Sequence, residues 1–419
     1  MSGAAATIIL TFALLALFGR QPGFGATYLR RRLPRPSGVL VWLLKWLAAG
    51  VFVLALCAGF FGTPDPYRNL LPTMVWVVWW VGFAFVCALV GNAWAPLSPL
   101  RTLFVFPSLQ LPYPRRLGAW PAVLLFLGFA WGELVWRDNN VPAYLATAAL
   151  GYAVVTWLGM LLYGRETWLE NGEAFSVAFG VLGRFAPVSE ELELRPPGAG
   201  LLPHTPVPVS LMAFVLLMLA TVTYDGFRAT PLSQQIETAV SGSALLFWLS
   251  ERGLDEAQFV ASVELVLLPL AFFAAFWATS WLMKRVARTP LNATEVACAF
   301  VLTLVPIAVA YHLSHYFSLL LTAGQFVIPL ASDPFGYGWD LFGNAGYKVD
   351  FGVVSPYVFW YGAVTIIVVG HVIAVCLAHA VAQRVFGARG AIASQVPMIA
   401  LMVAYTTLSL WILAQPIVG

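Results

Sequence analysis

The stretch "AVAYHLSHYFSLLLTAGQ", residues 308–325, places His312 and His315 three residues apart inside a long apolar run. The run extends over residues 294–322 and carries almost no charge. A run of about 20 predominantly apolar residues is the length that an α-helix needs to cross a bilayer. The stretch therefore predicts a membrane helix with two ionisable rings inside it.

The composition of the whole chain extends this interpretation from one run to the entire protein. Of its 419 residues, 60% are hydrophobic and only 10% are charged, with a net charge of +3 spread over the loops. Transmembrane β-barrels show alternating segments of about 10 residues rather than solid apolar blocks. The sequence thus predicts an all-α polytopic integral membrane helix bundle, and the weak, dispersed charge does not indicate nucleic-acid binding.

Apolar runs recur from end to end and predict a single membrane domain, 1–419, with about ten transmembrane helices. The predicted spans are 4–19, 39–61, 72–91, 119–136, 142–163, 208–224, 258–282, 294–322, 356–383 and 395–416.

The orientation follows from Lys and Arg, which are enriched in cytoplasmic loops. One set of loops carries sixteen of these residues and the opposite set carries five. This bias predicts a protein of a bacterial cytoplasmic (inner) membrane with both termini outside. Segment 164–207 is then a cytoplasmic surface segment with a helix parallel to the membrane, and segments 225–257 and 323–355 are outer loops.

Three histidines fall near the middle of the predicted bundle. Counted from the outer ends of their runs, His315, His312 and His371 lie roughly 13, 18 and 22 Å deep. Ionisable residues inside membrane spans are costly and commonly functional. Because residues at i and i+3 share a helix face, we expect His312 and His315 to point together, with His371 beside them on the next antiparallel span.

Three carboxylates occupy the same half of the predicted bilayer. Glu133 and Glu264 lie roughly 6 and 9 Å deep, and Asp225 lies at the outer rim. Imidazoles and carboxylates around one cavity are ligands for a transition metal such as Zn, Fe, Mn or Cu. We predict His312, His315, His371 and Glu133 as metal ligands, and Glu264 or Asp225 as the general base. The expected hydrogen-bond partners around them are Tyr224, Tyr311, Tyr316 and Gln325.

Several alternatives remain open for these residues. The histidines also suit hydrogen bonds between helices, haem or copper in a redox subunit, or a metal- or proton-coupled transporter. Asp225 precedes Gly226, so turn chemistry explains it as well. The chain also fits a subunit of a larger membrane complex.

Five stretches together resemble a family of bacterial polytopic membrane proteins labelled fenitrothion-hydrolase-like. The resemblance covers most of the chain and implies hydrolysis of an organophosphorus ester, without assigning a role to any residue. The expected function is therefore a membrane-embedded metal-binding enzyme whose site in the outer half of the bilayer hydrolyses lipophilic organophosphorus esters. The stretches are "GNAWAPLSPLRTL" (91–103), "WLENGEAFSVAFGVLGRFAP" (168–187), "TYDGFRATP" (223–231), "AYHLSHYFSLLLTAGQFVIPLASDPFGYGWDLFG" (310–343) and "GHVIAVCLAH" (370–379).

Overall fold

A computed structural model describes residues 31–415 of the chain. This part is almost entirely helical, with one two-residue antiparallel strand pair, β1 (Arg31–Arg32) and β2 (Glu193–Leu194). Eight helices among these residues are long and apolar enough to cross a membrane. The prediction of an all-α membrane protein is confirmed, whereas the count of ten spans is not; span 4–19 lies outside the described residues.

The fifteen helices follow in chain order, and a short 3₁₀ turn, Ala199–Leu201, precedes α9. They are α1 (Gly38–Phe61), α2 (Leu70–Leu89), α3 (Trp94–Leu97), α4 (Pro99–Leu103), α5 (Trp120–Leu134), α6 (Pro142–Tyr163), α7 (Arg165–Asn171), α8 (Ala174–Phe185), α9 (Val209–Arg228), α10 (Pro231–Val240), α11 (Ala244–Ser250), α12 (Glu256–Ala287), α13 (Ala293–Ser332), α14 (Pro356–Gly387) and α15 (Gly390–Leu413).

The central element is α13. Within its most apolar 18-residue window 89% of the residues are buried, against 11% for α1 and 17% for α12. Helix α13 therefore forms the core, and α1 and α12 present most of their apolar surface outward, as lipid-facing helices do. The stretch that predicts a membrane span thus lies at the centre of the protein.

Local sequence explains the breaks in α13. The helix begins at a capping box in which the Asn292 side chain accepts from the Glu295 N–H, and the Glu295 carboxylate accepts from the Asn292 N–H. A 3₁₀ segment, Val301–Leu304, interrupts it directly before Pro306. Because proline lacks an N–H and clashes with the preceding turn, an interruption here is expected.

Helix α2 contains an uncommon feature. Ten of its residues, Thr73–Gly82, form a π-helix, flanked by α-helical turns on both sides. π-Helical segments are rare, usually a single turn, and occur frequently at functional sites. The segment carries Trp79 and Trp80, which both pack into the core.

Helix α8 differs from the surface helix expected within 164–207. Nine of its residues are buried, and its Phe175 and Phe179 rings pack against Trp79, Trp80 and Trp94. Its N-terminus is capped by Glu173, whose carboxylate is fully buried and also accepts from the Tyr152 hydroxyl. The expectation of a helix with only one covered face is wrong, because aromatic side chains from α2 and α5 enclose it.

Candidate functional site: a carboxylate–imidazole pair in the core

The site centres on Asp225 of α9 and two consecutive residues of α13. Asp225 Oδ2 lies 2.8 Å from His315 Nε2 and accepts a hydrogen bond of 2.7 Å from the Tyr316 hydroxyl. The Asp225 and His315 side chains are 27% and 22% exposed, so the pair is accessible, whereas Tyr316 is buried. Two predicted site residues, Asp225 and His315, therefore meet, and Tyr316 takes its predicted supporting place.

The close approach of α9 and α13 depends on Gly226. A Cβ atom at this position would lie 2.4 Å from the Tyr311 hydroxyl and 2.9 Å from Ile412. Helix α9 continues to Arg228, so Asp225 and Gly226 are helical and the turn explanation of Asp225 does not apply. The glycine instead brings the Asp225 carboxylate within reach of the α13 side chains.

A second carboxylate lies beside this pair. Glu133 of α5 interacts electrostatically with Asp225 and Tyr316, and the Trp80 indole approaches the Glu133 carboxylate. Trp80 Nε1 is buried but lacks a hydrogen-bond partner that meets full geometry among the described residues. Trp80 belongs to the π-helical segment of α2, and the sequence prediction of the site did not include it.

His312 takes a different direction from His315. Its ring packs against Trp80, Phe85 and Tyr316, with centroid distances of 5.8, 5.9 and 4.7 Å. The side chain is 7% exposed, and its Nε2 has no hydrogen-bond partner within residues 31–415; the same holds for the Tyr311 hydroxyl. Buried polar atoms without partners are rare in native proteins and indicate a place for water or a ligand.

Glu264, predicted as a general base, belongs to another group. Its Oε2 lies 3.9 Å from Arg228 Nη1, which also contacts Glu237 Oε1 at 2.5 Å. The neighbouring Tyr224 hydroxyl donates to the Ala261 carbonyl at 2.8 Å. Arg228 was not predicted as a site residue, although a cation at the end of α9 was the available signal. Glu264 is therefore tied to Arg228 at the edge of the bundle, and the prediction that it joins Asp225 is not supported.

His371 is fully buried and its Nδ1 lies 2.9 Å from Thr406 Oγ1 on α15. Within the described chain, no group of three or more His, Cys, Asp or Glu side chains is arranged to hold a metal ion. The predicted ligands His312, His315, His371 and Glu133 thus do not converge. The residues present do not fit the predicted transition-metal centre, and we derive no step through a metal.

A third histidine group lies two turns further along α14. His379 Nε2 is 3.0 Å from Gln383 Nε2, and His379 Nδ1 is 2.9 Å from Gln395 Nε2 on α15. His379 and Gln395 are buried, and no charged side chain takes part in these contacts. This group is a neutral counterpart of the Asp225–His315 pair.

The pair has the composition of an acid–base site. An ionised Asp225 is an acceptor only, so His315 holds its proton on Nε2 and Nδ1 is left to accept one. His315 Nδ1 makes no hydrogen bond to any residue within 31–415. No protein-family model, curated protein or solved structure matches the chain, so the resemblance to fenitrothion-hydrolase-like proteins stays a prediction.

Proposed function

We propose that the chain is a membrane-embedded enzyme that hydrolyses a lipophilic ester, with Asp225 and His315 as its acid–base pair. The observation that carries the proposal is the 2.8 Å contact between His315 Nε2 and Asp225 Oδ2 in an otherwise apolar, partly accessible core. Asp225 orients the imidazole and stabilises the imidazolium that forms when Nδ1 takes a proton.

The proposed reaction follows from this proton placement. His315 Nδ1 accepts a proton from a water molecule, whose oxygen attacks the phosphorus atom of a neutral aryl phosphotriester. The bond from phosphorus to the aryl oxygen breaks and the phenolate leaves, after which the imidazolium returns its proton to solvent. The resemblance to fenitrothion-hydrolase-like proteins supports this substrate class, and a lipophilic ester reaches such a site from the bilayer.

The test uses diethyl 4-nitrophenyl phosphate and the full chain in liposomes, with release of 4-nitrophenolate as the measurement. We expect hydrolysis by the wild type and a loss of about 10²-fold or more in His315→Gln, because general-base catalysis contributes this much. His204→Gln, in the exposed linker before α9, is the matched control. Equal rates in the two variants would contradict the proposal.

Elemental analysis of the purified protein tests the metal hypothesis separately. We expect no stoichiometric transition metal or haem, because the predicted ligands do not form a common group. A stoichiometric metal that His315→Gln removes would replace the water-based mechanism with a metal-based one.

A proton-coupled transporter is the second candidate. It is favoured by the buried polar pairs His371–Thr406 and His379–Gln395, which continue along α14 and α15 beyond the Asp225–His315 pair. Its test is proton uptake into sealed proteoliposomes that contain a pH-sensitive dye. Uptake that Asp225→Asn abolishes, without ester hydrolysis by the wild type, would favour transport over catalysis.

The finer topology belongs to the same proposal. Helix α5 is 15 residues long, and a crossing by α5 keeps the Arg-rich loops on one side of the bilayer. With 4–19 this gives ten spans, both termini outside and an inner-membrane location. Cysteine-accessibility mapping should then find position 31 cytoplasmic and position 340 external; the reverse would invert the bundle.

A further inference from the structure

A cleft lies far from the acid–base pair, where the loop after α4 meets the start of α7. Its volume is about 530 Å³. The lining combines apolar residues, Val105 and Phe106, with the polar and charged residues Gln110, Arg165 and Glu166. This volume falls in the range of small-molecule sites, about 300–1,000 Å³.

The cleft is held open by an anchored loop. The backbone N–H groups of Leu109 and Leu111 donate to the Leu161 and Leu162 carbonyls at the end of α6, at 2.7 and 2.9 Å. These contacts satisfy carbonyls that the helix end leaves without intrahelical partners. The loop is therefore fixed to a membrane helix, and the cleft is a built feature of the fold.

Two residues at the base of the cleft have positive φ angles. Gly164 has φ +92°, and a Cβ there would lie 2.9 Å from Gln110 Oε1; Gln110 itself has φ +52°. A positive φ is uncommon for residues other than glycine and carries a conformational cost. Such strain clusters at binding sites, where the surrounding contacts keep it in place.

The cleft contains more positive than negative charge. Glu166 Oε1 accepts from Arg101 Nη2 at 2.7 Å and from Arg165 Nε at 3.3 Å, so two guanidinium groups share one carboxylate. The Arg165 side chain is 45% exposed, and its Nη groups make no hydrogen bond within the described part of the chain. A guanidinium in this state is suited to phosphate, which it binds in bidentate geometry.

An exposed apolar rim adjoins these charges. Val105, Phe106 and Leu109 are 76%, 64% and 62% exposed, and they lie beside the end of α6, where a membrane helix reaches the headgroup level. Water-exposed apolar side chains next to uncompensated cations match the two parts of a phospholipid, acyl chain and phosphate.

We infer that this cleft binds an anionic phospholipid, with the lipid phosphate on Arg165 and an acyl chain over Val105 and Phe106. The inference is independent of the proposed hydrolase function, because none of these residues contacts the Asp225–His315 pair. Phosphatidylglycerol is the probe of choice, since its headgroup is anionic and carries no ammonium group that would compete for Glu166.

The test is native mass spectrometry of the full chain, released from detergent with phosphatidylglycerol or phosphatidylcholine. We expect phosphatidylglycerol to bind the wild type, and Arg165→Gln to weaken this binding about tenfold, as loss of one charge-assisted contact does. Arg116→Gln, an exposed cation that does not line the cleft, is the matched control and should leave binding unchanged.

Two further arms make the result decisive. Phe106→Ser should weaken binding of the lipid but not of inorganic phosphate, because only the lipid uses the apolar rim. Equal loss in Arg165→Gln and Arg116→Gln, equal affinity for phosphatidylcholine, or phosphate binding as tight as lipid binding would each overturn the inference. Thermal unfolding of all three variants verifies that they fold, as expected for substitutions at exposed side chains.

Discussion

His315 and His379 are two imidazoles in the interior of one bundle with partners of different charge. His315 faces a carboxylate, Asp225, and remains 22% exposed. His379 faces two glutamine amides, so its nitrogens are partnered without any charge. An amide neither attracts nor stabilises a proton on the ring as a carboxylate does. The comparison shows that the partner, more than burial, decides which histidine is equipped for proton transfer.

The strongest way to break this difference is Asp225→Asn, which gives His315 an amide partner like that of His379. We expect the kcat/KM for phosphotriester hydrolysis to fall by about 10²–10⁴-fold, because the imidazolium loses its counter-charge. Steady-state 4-nitrophenolate release in liposomes measures the effect. Activity within threefold of the wild type would show that the carboxylate has no such role.

The reverse exchange, Gln395→Glu, places a carboxylate beside His379. A buried carboxylate without a cation is costly, so we expect a loss of about 3 kcal/mol in unfolding free energy at pH 8. Proton uptake by the new pair relieves this cost, so the loss should shrink at pH 6. Denaturant unfolding in detergent at both pH values provides the measurement.

The matched control is Gln383→Glu, since Gln383 contacts the same ring but is partly exposed. A solvated carboxylate costs less, so the control should show a smaller loss with little dependence on pH. A pH-independent loss in Gln395→Glu would mean that His379 takes up no proton.

A substitution at Gly226 sharpens the geometric side of the comparison. Gly226→Ala places a Cβ where the Tyr311 hydroxyl and Ile412 already lie. Overpacking of this kind costs about 1–3 kcal/mol, and it should also push α9 away from α13 and lower the hydrolysis rate. Unfolding and activity are measured on the same preparation; stability equal to that of the wild type would show that the helices separate freely.

The smallest expected effect comes from Tyr311→Phe. The Tyr311 hydroxyl is buried without a partner, so its removal should change the unfolding free energy by less than about 0.5 kcal/mol. The double variant with Gly226→Ala should recover part of the lost stability, because the nearest clashing atom is gone. No recovery would assign the clash to Ile412 instead.

Hydropathy alone predicted the membrane helices well, because run length and the absence of charge follow from the thickness of the bilayer. Helix α13, for example, was predicted at 294–322 and lies at Ala293–Ser332. Helix α8 was not predicted correctly, since a short apolar pattern does not tell whether lipid or other helices cover it. Its enclosure depends on aromatic rings from α2 and α5.

The site was predicted in part for a similar reason. Depth along a helix axis is readable from sequence, but the direction around the axis is not. His371 has the predicted depth, yet it faces Thr406 on α15, the helix that follows directly after the break at Gly387. His312 and His315 share a broad face, but the angle between them sends one ring toward Trp80 and the other toward Asp225.

The enclosure of α8 has a consequence for the order of assembly. Its contacts include α13, which is made about 150 residues later in the chain, or roughly 7–30 s at ordinary rates of synthesis. Until α13 arrives, the apolar face of α8 has no complete protein partner. A nascent chain must therefore keep this segment at the membrane surface and admit it to the interior only after α13 has inserted. The surface helix expected from the sequence then describes a stage in biogenesis rather than the finished protein.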